Sequence, residues 1–197
     1  MKLTKPYLFH DRIKGMKRLV PDEVILGILK YHPSHGYELL NWFNSREYLG
    51  RIWTMSTSQI YAVLKRLEDQ GSIAGHEIFT PNAPTRNEFH VTEKGSERIQ
   101  AWLYDSKPSA SIHRIRVEFI SRLFIAELLG LSKQQVIQHQ NEACESVLEK
   151  VMREKSLTDS PTELLTLNFV IGQLESALKW LADCDTYVLI LSEEKLQ

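Results

Sequence analysis

Cysteine is nearly missing from this sequence. Cys144 and Cys184 are the only two among 197 residues and lie forty positions apart, so no disulfide framework is available. Both fall within helical patterns, which predicts buried free thiols rather than a redox switch. Long apolar runs are missing too, since none approaches the ~18 residues that a membrane span needs. The opening "MKLTKPYLFHDRIKGMKRLV" lacks the continuous apolar core of an export signal, and a cytoplasmic protein is expected. Glycine is sparse, nine in all, which leaves little material for a loop cradling phosphates. Neither H-E-x-x-H nor G-x-S-x-G occurs. The histidines (His10, His32, His35, His76, His90, His113 and His139) are scattered. His32 and His35 flank Pro33-Ser34 at a spacing too common to mark a metal site. Catalysis, a metal and a cofactor are all unexpected.

A dominant charge is lacking as well. The net charge is −1, and a 43% hydrophobic, 25% charged composition is that of a folded globular protein rather than a disordered one. Residues 1–100 carry a net +3 and residues 101–197 a net −4, an asymmetry well short of a strongly basic nucleic-acid-binding domain. The most basic part is residues 1–21, with Lys2, Lys5, Arg12, Lys14, Lys17 and Arg18 against Asp11 and no other acid before Asp22. Such an extension suits phosphates as well as solvent.

What the chain does have is ordered periodicity. Pro21 and "HPSHG" bound a first helix at Asp22 to Tyr31, apolar on nearly all sides. A second helix runs from about His35 to Phe43, with Leu39, Leu40 and Phe43 inward. The stretch "STSQIYAVLKRLEDQGSI" predicts the third, capped by an S-x-x-Q box at Ser56 and Gln59 and stopped at Gly71. Ile60, Val63, Leu64 and Leu67 form its buried stripe. "SIAGHEIF" and "RNEFHVT" read as two strands joined by "TPNAPT", and a fourth helix follows from about Glu93 to Trp102. Three helices, a hairpin and a helix are the order of a winged helix-turn-helix, assigned to residues 22–104.

That order gives a meaning to the outer face of the third helix. In a helix-turn-helix the recognition helix presents the N-terminal part of its exposed face to the major groove. Over residues 57–70 those positions are Thr57, Ser58 and Tyr61, with Lys65 one turn on and able to reach a phosphate or a guanine edge. The hairpin, residues 73–91, would be the wing, with Arg86 at its far end on the minor groove or its phosphates.

"YDSKPSAS" reads as a linker, residues 105–111, and the chain beyond it is helical. One helix fits Ile115 to Leu129, a second starts with Ser132 as its cap and runs to about Lys155, and a third follows Pro161 to about Leu191. In that last helix Leu164, Leu167, Ile171, Leu174, Leu178 and Leu181 follow coiled-coil spacing, and Phe169, Val170, Ala177, Trp180 and Cys184 add a second apolar face. Residues 112–197 are therefore expected to be an antiparallel helical dimerisation domain, the leucine seam meeting a second copy about a two-fold axis and ending near Asp185. The expected fold is mainly α throughout.

These residues resemble the PadR family of bacterial transcriptional regulators. The matching stretches are "ILGILKYHPSHGYELL", "IWTMSTSQIYAVLKRLEDQGSI" and "TRNEFHVTEKG", with Gly36-Tyr37, Trp53, Tyr61, Leu64, Leu67, Gly71, Arg86, Thr92 and Gly95 at family positions. "LNFVIGQLESALKWL", with Gly172 and Trp180, looks like the helical domain of the longer, virulence-activator type. The resemblance implies a homodimer whose Tyr61 and Arg86 contact double-stranded DNA at a pseudo-palindromic operator. The wing departs from the family pattern, reading Thr85-Arg86-Asn87-Glu88-Phe89 where a proline, a lysine and a further aromatic are usual. The alternative reading is a winged helix that binds protein instead of DNA. A cleft lined by Trp42, Trp53, Trp102 and Phe119 would suit a small-molecule effector, which the sequence neither requires nor identifies.

Overall fold

The structure, a computed structural model, describes residues 19–79 and 86–194, with side chains as far as Cys184. Most of the basic extension and the hairpin tip lie outside the described residues. Three helices come first: α1 (Asp22–Tyr31), α2 (Gly36–Asn44) and α3 (Thr57–Asp69). The hairpin β1 (Ile73–Ile78) and β2 (Arg86–Val91) and the helix α4 (Glu93–Leu103) complete the N-terminal part. Residues 112–128 then form one continuous helix, α5. It is α-helical over Ile112–Arg114, π-helical over Ile115–Phe119 and α-helical again over Ile120–Leu128. Two long helices follow, α6 (Gln134–Lys155) and α7 (Pro161–Glu194). None of the helices, among the described residues, is long and apolar enough to cross a membrane.

Local signals in the sequence account for most of these boundaries. At α3 the Ser56 amide donates to Gln59 Oε1 (2.8 Å) and the Gln59 amide to Ser56 Oγ (3.3 Å), so both halves of the capping box form. His35 caps α2 in the same reciprocal way with Glu38. Gly71 ends α3 at φ 67°, a conformation in which a side chain would be strained. Thr92 starts α4 by accepting from the Gly95 amide, and its hydroxyl donates to Gly71 O (2.8 Å), tying the hairpin's base to the end of α3.

The hairpin is antiparallel, with Ile73 opposite Val91 and Ile78 opposite Arg86. On its other side β2 forms a bridge between Phe89 and Ser34, so the turn after α1 acts as a third, single-residue strand. Helix α1 is the centre of the N-terminal core: Val24, Ile25, Leu26, Ile28 and Leu29 are all 1% exposed or less. Leu39, Phe43, Ile60, Leu64, Leu67 and Ile99 close around it.

The expected division of the chain at residues 105–111 is not where packing divides. Helix α5 contributes Ile125 and Ala126 to the N-terminal core, and Ile115 and Phe119 to the second. The linker itself is held. Pro108 is buried, and Ser109 O accepts from Gln140 Nε2 (3.0 Å). The π-helical turn sits between the two cores. There the buried Ser121 Oγ donates to Val117 O (2.6 Å) and accepts from Trp53 Nε1 (2.9 Å). Helix α6 also corrects an expectation, because it begins at Gln134 with Lys133 at the cap position, and Ser132 does not cap it.

The leucine seam is the larger correction. Leu167, Ile171, Leu174 and Leu181 are at most 8% exposed within a single chain, packed with Val136, Ile137, Cys144 and Val151 of α6. Leu164 and Leu178 flank them, half-buried. The short connection after α6 lets α7 fold back on it, and the nearest apolar surface takes the seam. It is an intramolecular one.

Two stability predictions follow from the packing. Leu174→Asp places a charge at a seam position that is only 3% exposed. It is expected to abolish the helical half of the fold, seen as lost ellipticity and melting temperature. A variant folded like wild type but monomeric would instead return the seam to a dimer interface. Asp22→Ala should cost about 2 kcal/mol in chemical denaturation, less than the ~3–5 of a fully buried pair because its arginine partners stay partly in water.

Candidate nucleic-acid interface

Helix α3 presents one face because the other is fastened twice. Ile60, Val63, Leu64 and Leu67 are each 4% exposed or less and seat it in the N-terminal core, against α2 and β1. Arg66, on its flank, then donates Nε (3.0 Å) and Nη2 to the two oxygens of Asp22. Asp22 is 2% exposed and also accepts from Arg98 of α4 (3.3 Å). Arg98 reaches Glu23 (2.9 Å) and Gln70 (2.7 Å) as well, so α1, α3 and α4 meet at one charge cluster. The hydrogen bond to Asp22 holds the Arg66 guanidinium above its ordinary pKa.

With that side fixed, Ser58, Tyr61 and Lys65 are exposed together on the opposite face, and Thr57 is half-buried at its start. Ser58 Oγ is 3.0 Å from Ser56 Oγ, which draws it toward the cap. Tyr61 does not stand free. Its ring lies against the backbone of Gly36, where a Cβ would come within 2.7 Å of Tyr61 Cζ. Tyr37 meets it edge-on, with ring centroids 6.5 Å apart and planes at 79°. Gly36 thus makes room for the Tyr61 ring, which a side chain there would push aside, a reason visible only once α2 and α3 are packed.

Arg86 is exposed at the outer end of β2, opposite Ile78. At about 3.4 Å per residue it lies some 17 Å along the hairpin from Ile73. It is a separate outpost and does not join the α3 group. Glu88, the acid that departs from the wing pattern, is paired with His76 (3.4 Å), and the His76 and His90 rings are 5.6 Å apart. Histidines that look scattered in sequence are therefore neighbours on the wing. Among the described residues no group of His, Cys, Asp and Glu is arranged to hold a metal ion.

The four aromatics expected to line one cleft are dispersed. Trp42 stacks among Tyr31, Tyr48 and Phe124, and Trp53 is bonded to Ser121. Trp102 lies under the Arg122 guanidinium at 5.5 Å, while Phe119 is buried in the second core against Trp180. They are packing residues at the junction, as aromatics at helical spacing commonly are. Arg122 is 3% exposed, pairs with Glu118 (2.8 Å) and Asp105 (3.4 Å), and is pushed to a lower pKa by burial. Burial likewise raises both thiols, Cys144 and Cys184, which makes them poor nucleophiles.

Helix α7 keeps a second stripe open. Leu165 (73% exposed), Phe169 (67%) and Trp180 (38%) run along it with Gly172 and Ser176. Phe169, Gly172, Ser176 and Trp180, with Ile112, Ile115, Arg116 and Ile120 of α5, border a groove of about 610 Å³, mostly apolar.

Residues 25–101 match the model of the Transcriptional regulator PadR-like family. A curated relative, the negative transcriptional regulator PadR of Bacillus subtilis (strain 168), is 29% identical over 120 residues. The match covers 59% of this chain and 65% of the relative, so the chain spans slightly under two thirds of that protein's length. Among solved structures, Bacillus subtilis PadR in complex with operator DNA is similar at 21% identity, with a TM-score of 0.44, over 86% of this chain and 99% of that one. Bacillus subtilis PadR in complex with p-coumaric acid is similar at 21% identity, with a TM-score of 0.38, over 85% of this chain and 94% of that one. Residues 25–101 are thus similar to the PadR-like family of transcriptional regulators.

Proposed function

We propose that the protein is a sequence-specific, DNA-binding transcriptional regulator that acts as a homodimer. The observation that carries the reading is the exposed Ser58–Tyr61–Lys65 face on a helix clamped from behind by Asp22. A helix fixed in this way can enter a major groove without rotating, with Ser58 and Tyr61 near the base edges. Lys65 supplies a phosphate or guanine contact, and Arg86 a second anchor on the wing.

The second copy is assigned to the open stripe of α7 rather than to the leucine seam. Leu165, Phe169 and Trp180 are too large and too exposed, on one face, to be ordinary surface. A two-fold pairing through that face buries it twice over and holds two winged heads at a fixed distance. Recognition helices about one turn (~34 Å) apart would then match a pseudo-palindromic site. The aromatics once expected to form an effector cleft are packed. A small-molecule effector would have to use another surface.

Fluorescence anisotropy with duplex DNA from upstream of the protein's own gene, against unrelated duplex, tests the reading. Salt-sensitive binding that prefers the upstream duplex supports it, and no binding to either duplex at low salt overturns it. Lys65→Ala should weaken both duplexes and reduce the salt slope by about 1. Tyr61→Ala should weaken binding to the preferred duplex more, with the melting temperature unchanged. Equal affinity of both variants to wild type would remove α3 from the interface. Phe169→Asp should yield a folded monomer by light scattering, with lost operator affinity; a dimer that persists would put the second copy elsewhere.

A further inference from the structure

The aromatic surface of α3 continues onto α2. Tyr37 is 63% exposed on the first turn of α2, a helix whose buried residues are Gly36, Leu39 and Phe43. The core gains almost nothing from its ring. What the ring touches is Tyr61, edge-on at 6.5 Å. Tyr61 is therefore flanked by α2 on two sides, by the Gly36 backbone and by the Tyr37 ring. Two partly exposed phenols from two helices form one continuous patch, next to Ser58 and Lys65.

We propose that Tyr37 and Tyr61 make a single DNA contact spread over both helices, in which the Tyr37 hydroxyl donates to a backbone phosphate and its ring holds Tyr61 in position. The inference rests on the DNA-binding reading above. A phosphate is the partner because of where Tyr37 stands: in a helix-turn-helix the helix before the recognition helix crosses the backbone and does not enter the groove. A phenol there is an uncharged donor. It adds affinity without displacing a counterion, so its signature differs from that of a lysine. Because phosphates carry no sequence, the contribution should be the same on any duplex.

The test is anisotropy titration of wild type, Tyr37→Phe and Tyr37→Ala on the upstream and the unrelated duplex across a salt series, with thermal melts as a fold control. Tyr37→Phe removes only the hydroxyl. It is expected to weaken both duplexes by the same factor, about threefold to tenfold per head, with an unchanged salt slope and melting temperature. Tyr37→Ala should weaken the upstream duplex further, since Tyr61 loses its lateral support and with it some discrimination. Wild-type affinity in both variants overturns the proposal while leaving the regulator reading intact. A loss in Tyr37→Ala without any loss in Tyr37→Phe overturns the phosphate contact. Absence of wild-type binding to any duplex at low salt overturns both readings together.

Discussion

Burial of the Asp22 carboxylate makes three helices answer to one charge. A carboxylate withdrawn from water is costly unless its oxygens are paired and hydrogen-bonded. Here the pairing comes from Arg66 on α3 and Arg98 on α4, both directional guanidinium donors. An apolar stripe alone would tolerate rotation of α3 by a fraction of a turn, because hydrophobic contact has little directionality. Adding the two bonds from Arg66 fixes its azimuth, and hence the direction in which Ser58, Tyr61 and Lys65 point. The clamp is remote from the exposed face, so that face is free to vary without loss of the framework.

The C-terminal helices show the same separation between framework and surface. Along α7 two apolar stripes run side by side, and they have different fates. One is consumed by α6, which folds back after a short connection and is always at hand. The other is left exposed by the described residues at Leu165 and Phe169, while Trp180 at its end is partly covered by Phe119 of α5. Helix α5 links this half to the winged head, since its first turns pack in one core and its last turns in the other. A displacement of α5 would be felt in both, with the π-helical turn and the Trp53–Ser121 bond at the crossing point.

Much of the head was legible because its signals are local. The capping box at Ser56 and Gln59, the stop at Gly71 and the proline-containing loop between the two strand-like stretches each involve residues a few positions apart. The outward set on α3 followed from helical period once the inward stripe was recognised. Harder to read were contacts between residues far apart in sequence. Nothing in "PDEV" marks Asp22 as the partner of Arg66 and Arg98. Gly36 and Tyr37 matched a family pattern without a stated reason, which is the ring of Tyr61. The wing histidines looked scattered because cross-strand neighbours are distant in the chain.

Periodicity determined by itself that α7 carries apolar faces and that α3 has an inside and an outside, because a helix of known pitch converts spacing into direction. It could not determine which partner each face meets. A heptad seam is satisfied equally by another helix of the same chain or by a second copy, since both offer the same apolar atoms. Tertiary structure decided that question through proximity, giving the leucine seam to α6 and leaving Leu165 and Phe169 of the neighbouring stripe open among the described residues. It likewise decided that the expected linker is packed and that Tyr61 leans on α2, because both depend on where distant segments come to rest.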